Sequence, residues 1–135
     1  MKYLFALLLL SGSLNALASP FVQEDFVPVA ESGYGCYVFD DTGKQIMVSD
    51  VHILHFDQQT FKPIRQSILP NHGRFAKQAR YQAGKNQVIF RAIIAQKLNA
   101  QDRKNGILDK ANGRFEYRQN GRMVYRGNFK IECAA

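Results

Sequence analysis

Apolar and polar residues alternate almost without error through 122–133. Met123, Tyr125, Gly127, Phe129, Ile131 and Cys133 fall on one side, with Arg122, Val124, Arg126, Asn128, Lys130 and Glu132 on the other. A period of two is the period of a β-strand, so this segment is predicted to have one dry face and one basic face. At roughly 3.3 Å per residue it runs about 40 Å, near twice the common strand length. It must bend, and Gly127 is the expected place.

Similar patterns recur upstream. Residues 34–39 are rich in strand formers, Asp40-Asp41-Thr42-Gly43 reads as a turn, and a second apolar run covers 44–56. With Asp41-Thr42-Gly43 as the loop, Val38 faces Ile46, Cys36 faces Val48, and Tyr37 faces Met47 on the reverse side. Both faces of this hairpin are apolar, which places it centrally. Segment 57–83 supports two patterns. Phe61, Ile64 and Ile68 permit a short helix before Pro70, and Ala76, Ala79 and Ala83 share one side of a helix that Gly84 would stop. Alternation through Phe75, Lys77, Ala79 and Tyr81 competes for a strand. After a turn at Gly84-Lys85-Asn86, Val88, Phe90, Ala92 and Ile94 alternate with Ile89, Arg91, Ile93 and Ala95, as in a well-buried strand.

Three Asn-Gly pairs follow, Asn105-Gly106, Asn112-Gly113 and Asn120-Gly121, and each predicts a turn. At the last of them a two-residue loop mixes polar and apolar positions on both faces. A three-residue loop Gln119-Asn120-Gly121 instead sets Tyr117 against Met123 and Phe115 against Tyr125, which sorts both strands. The predicted fold is mainly antiparallel β, a small barrel or strongly coiled sheet with one or two short helices within 60–83; an α+β arrangement is the alternative.

The start of the chain changes the compartment. Lys2, the apolar run 3–10, a polar break and the small-residue site Ala16-Leu17-Ala18 follow the order of a secretory signal over 1–18. Processing there leaves 19–135 as a single extracytoplasmic β-rich domain, periplasmic or secreted, in which 19–32, with Pro20 and Pro28, forms an extended leader or edge segment. Two cysteines in an exported chain leave one intramolecular pairing, so Cys36 and Cys133 are expected to form a disulfide. Their wide spacing argues against C-x-x-C redox chemistry and against a thiolate zinc site.

Charge adds a candidate surface. The chain has 18 Lys and Arg against 11 Asp and Glu, a formal net charge of +7. The three-residue loop would set Arg118 opposite Arg122 and Arg114 opposite Arg126 on the outer face, with Lys130 beyond. Like charges directly opposite destabilise a sheet, so such a ladder reads either as an anion-binding face, because the guanidinium fork pairs with carboxylate or phosphate, or as a solvated outer face partly neutralised by Glu116 and Glu132. Phe115, Tyr117, Tyr125 and Phe129 lie on the other side, which argues against single-stranded nucleic acid held by base stacking. The expected partner is an acidic protein or an anionic envelope component, including peripheral contact with a membrane surface.

Catalytic patterns are weaker. Asp50, His52, His55 and Asp57 are split between the two faces of a strand, and His72 can join them only through the fold. Ser49 and Ser67 lack a strained-turn context, and no phosphate-cradling loop occurs. These residues assign no catalytic group, metal ligand or cofactor. The sequence supports a non-catalytic binding module, such as an inhibitor or immunity-type protein using the basic C-terminal hairpin. An accessory envelope protein loosely attached to anionic lipid or polymer is the alternative, and a small metal-dependent hydrolase is the third reading.

Overall fold

The structure is a computed structural model and describes residues 19–25 and 34–134. The expected signal segment 1–18 lies outside the described residues, as does 26–33 of the predicted leader. Strands β1 (Gly35–Phe39), β2 (Gln45–Ser49), β3 (Leu54–Phe56), β4 (Gln59–Pro63), β5 (Ala79–Ala83) and β6 (Asn86–Ala95) precede a short helix α1 (Ala100–Lys104). Strands β7 (Ile107–Gln119) and β8 (Arg122–Ala134) complete the chain. Each strand pairs antiparallel with the next, and β8 returns to β1, so the sheet closes into an eight-stranded barrel. This is the mainly antiparallel β class expected from the pattern.

No helix forms within 60–83. Strands β4 and β5 occupy its ends, with 64–78 as the connection between them. Pairing Ala79–Ala83 with β6 buries Tyr81 completely, whereas the competing alanine stripe had little apolar area to bury. The run 44–56 is likewise two strands. The Asp50 carboxylate accepts hydrogen bonds from the His52 and Ile53 amides and turns the chain between them. Among the described residues the one helix is α1, where Asn99 and Asp102 cap each other reciprocally.

Register departs from simple alternation at bulges. The first hairpin has the expected loop, with Asp40 bonded to Lys44 and Gly43 at φ +85°. Beyond Phe39–Gln45, however, Val38 pairs with Met47 rather than Ile46, Tyr37 with Val48 rather than Met47, and Cys36 with Ser49 rather than Val48. Ile46 is the extra residue, and both it and Met47 enter the core. A bulge delivers two successive apolar side chains inward, which an unbroken strand cannot do.

The last hairpin corrects the predicted three-residue loop. Its loop is Asn120-Gly121, both at positive φ, so Gln119 pairs with Arg122 and Arg118 with Met123. This two-residue form has the twist that continues into its strands, which is why Asn-Gly selects it. A register shift at Val124 then sets Tyr117 opposite Tyr125 and Phe115 opposite Gly127, restoring the sorted faces from Tyr125 onward, while Met123, predicted on the dry side, is exposed opposite Arg118. Pairing runs regularly through Gly127, so the irregularities of this ribbon lie at Val124 and Leu108 instead. Asn112-Gly113 is no turn at all but the middle of β7. A Cβ on Gly113 would lie 2.7 Å from the Phe129 ring and 2.9 Å from the Arg91 carbonyl oxygen, so close packing, not chain reversal, accounts for this glycine.

An eight-stranded barrel has an interior about wide enough for side chains to fill. Phe56, Phe61, Tyr81, Phe90, Phe115, Tyr117 and Phe129 occupy it. Several meet edge to face, including Phe56–Tyr117 at 5.0 Å and Phe90–Phe129 at 5.1 Å between centroids. The N-terminal segment closes the end that carries the tight turns. Phe21 packs against Phe56, Tyr117 and Tyr125, and the amide and hydroxyl of Ser19 both donate to Asp40. At the opposite end Ile68 is buried and its amide donates to the Tyr81 hydroxyl at 2.6 Å.

The seam between the first and last strands carries the expected disulfide. Cys36 and Cys133 are paired residues of β1 and β8, with Cα atoms 4.0 Å apart although the two stand 97 positions apart in sequence. Replacing both by alanine is expected to lower stability by about 4 kcal/mol through the freed unfolded chain, measured by urea denaturation. Gly113→Ala is expected to cost about 1–3 kcal/mol in the same assay, and more than Gly127→Ala, whose new Cβ meets only the movable Tyr125 side chain.

Candidate functional site

The three long strands β6, β7 and β8 form one outer face, and their pairing places its side chains in rows. Arg80, Ile89, Glu116 and Arg126 make one row, and Arg91, Arg114 and Asn128 the next. A third contains Ile94, Asn112, Lys130 and Phe39. The corrected hairpin register dissolves the predicted ladder. Arg118 lies opposite Met123, not Arg122, and Arg114 lies opposite Asn128, not Arg126. The like-charge pair that does face across the sheet is Arg91 with Arg114.

Glu116 is the charge centre of this face. Arg91 Nε donates to its Oε1 at 3.2 Å, and Arg118 donates to its Oε2 through Nε and Nη2 at 3.2 and 3.1 Å. Burial alone would raise the Glu116 carboxyl, but the Arg118 hydrogen bond and the charges of Arg91, Arg118 and Arg126 outweigh it and hold the group below its usual range. One carboxylate thus absorbs Arg91 and Arg118. Among the described residues Arg114, Arg122, Arg126 and Lys130 form no ion pair, and all four are exposed.

A bulge shapes the surface beside them. Ala92 and Ile93 together oppose Gly113, with Ala92 at φ +53° and Ile93 turned into the core. A left-handed conformation at a residue bearing a Cβ is strained, of order 1 kcal/mol, and such positions cluster at binding sites. Here the kink borders an open groove of about 380 Å³, lined by Ala92, Ile94, Asn112, Arg114, Asn128 and Lys130, with Asp41 as an acid on its wall. Ile94 is 64 % exposed, an apolar surface next to two cations and two amides. The groove can therefore offer charge, directional hydrogen bonds and an apolar contact together. Of the five residues chosen from sequence, Arg114 and Lys130 meet in it. Arg118 is committed to Glu116, Arg126 lies in the neighbouring row, and Arg122 sits at the hairpin turn.

Arg80, Arg91 and Ile94 were missed as site residues. The first lies in 73–83, which the sequence left open between helix and strand, and the other two lie on a strand whose pattern is that of a well-buried one. A second groove, about 550 Å³, lies between β4 and β5 and contains Arg65, Arg80 and exposed Ile64. The histidine cluster is not assembled. Asp50 is used in its turn, Asp57 and His72 occupy left-handed turn positions, and His52 is exposed. The described residues contain no group of three or more His, Cys, Asp or Glu side chains placed to hold a metal ion.

Glu116→Gln is expected to raise the salt concentration needed to elute the protein from a sulfonate resin more than Glu132→Gln does, because only the former releases Arg91 and Arg118; equal shifts would show that the face is not the preferred anion surface. Compared with protein-family models, with curated proteins and with solved structures, the chain matches none of them.

Proposed function

We propose that the protein is an exported, non-catalytic binding module that holds an acidic protein partner on the outer face of β6–β8, as an inhibitor or immunity-type protein would. The observation that carries this reading is the groove in which Arg114 and Lys130, unpaired among the described residues, flank Asn112, Asn128 and exposed Ile94. Charge steers an acidic surface toward the face, while amides and an apolar anchor favour one docked geometry. The disulfide supports an oxidising compartment, and the signal-like 1–18 supports periplasmic or secreted delivery. Phe115, Tyr117 and Phe129 are buried in the barrel, which argues against base stacking as the mode of binding.

One further feature favours attachment to anionic lipid as a second reading. Met123 and Val124 are 41 % and 47 % exposed at the tip of the last hairpin, beside Arg122 and Arg126. The two readings separate in one experiment, using the protein as bait on envelope and culture fractions. Protein docking predicts a discrete partner that survives a few hundred millimolar salt and is lost, at least tenfold, in Arg114→Glu/Lys130→Glu. Capture unchanged in that variant overturns the proposal. Binding only to anionic vesicles, abolished by the same salt, supports the lipid reading instead.

A further inference from the structure

Asp40 is 3 % exposed, and its carboxylate receives five hydrogen bonds. Oδ1 accepts from the Thr42 amide and hydroxyl and from the Lys44 amide, at 2.7 to 3.0 Å. Oδ2 accepts from the Ser19 amide at 3.1 Å and the Ser19 hydroxyl at 2.7 Å. All five donors are neutral as the chain stands. Among the described residues no cation lies within ion-pair distance of Asp40, since the Lys44 ammonium is turned to the carbonyl oxygens of Ser19 and Phe21, at 2.7 Å each. A buried carboxylate is normally matched by a positive charge. The atom best placed to supply one is the backbone nitrogen of Ser19, the residue that follows the small-residue site Ala16-Leu17-Ala18.

We propose that the bond between Ala18 and Ser19 is a processing site and that the α-ammonium released there is a structural ligand of Asp40. Hydrolysis adds one water across the amide, leaving a carboxylate on Ala18 and an ammonium on Ser19. The Ser19 nitrogen then carries three protons and a full charge where it carried one proton and none, and its existing contact with Oδ2 becomes an ion pair. The hydrogen bonds already in place draw the Asp40 carboxyl down to about 2 against its burial, so the anion is ready for that charge. Docking also seats the plug, because Ser19 is 4 % exposed and Phe21, two residues on, packs against Phe56 and Tyr125. A buried Ser19 nitrogen cannot lie in a protease cleft, so cleavage precedes closure of this end of the barrel. The proposal rests on the signal-like pattern of 1–18 and is independent of the basic face.

The test is expression of the full chain in an exporting host, with intact mass and amine labelling of the purified product. Wild type should begin at Ser19. Its α-amine should react with an acylating reagent at neutral pH at least tenfold more slowly when native than when denatured. One glycine inserted between Ala18 and Ser19, or Asp40→Asn, should restore fast labelling. If Asp40→Asn does not accumulate, the insertion and the native-to-denatured ratio of wild type still decide. A chain that begins elsewhere, or an α-amine that labels equally fast in native and denatured protein, overturns the proposal.

Discussion

The pairing of β1 with β8 is the constraint on which the rest of the molecule depends. Residues from opposite ends of the described domain meet there over Gly35–Ala134 to Phe39–Lys130, and the Cys36–Cys133 bond lies within that seam. Without it the sheet would end in two unpaired edges, and the apolar positions of eight strands would have no common interior. Closing so long a loop is entropically costly, and a covalent link at the seam shifts much of that cost from the folded to the unfolded balance.

Closure also decides what faces water. The interior takes the aromatics of β6, β7 and β8, so the alternate positions of the same strands, rich in Arg and Lys, form a continuous outer face. That face is tolerated because its charges are unequally engaged. Glu116 gathers Arg91 and Arg118, which leaves Arg114, Arg126 and Lys130 open to solvent. The bulge at Ala92, held opposite Gly113, interrupts the smooth sheet and makes a groove beside two of these cations. Groups carried on paired strands are held more firmly than groups on loops, which suits recognition of a defined surface.

The two ends of the barrel are closed by different means. At the tight-turn end Phe21 fills the opening, and the Tyr117 hydroxyl accepts from Gln59 and Gln119. At the other end the long connection 64–78 lays Ile68 over the core, tied to Tyr81. Both closures come from irregular chain that seats one buried apolar side chain among the described residues, Phe21 at one end and Ile68 at the other. Neither forms a regular element, although the Phe61, Ile64 and Ile68 spacing permitted a helix.

The sequence by itself determined which side of each long strand is dry over the stretches between bulges. Alternation over 122–133 correctly turned Tyr125, Phe129, Ile131 and Cys133 inward, and two cysteines in such a chain left one possible intramolecular bridge. It also marked Arg114 and Lys130 as outward cations. What it did not determine was which residues stand opposite one another. Bulges at Ile46, Ala92 and Val124 each add one residue to one strand, moving every later partner by one place and changing which side some apolar residues take: Ile93 enters the core, while Ile94 and Met123 are exposed. Alternation is a property of one strand, whereas register belongs to two, so the predicted arginine pairs failed, and the predicted faces held only between the bulges. Between the helix and the strand that 57–83 permitted, the choice was open for a related reason. Local propensity permitted both, and the chance to bury Tyr81 against β6, visible only in the assembled barrel, decided for the strand.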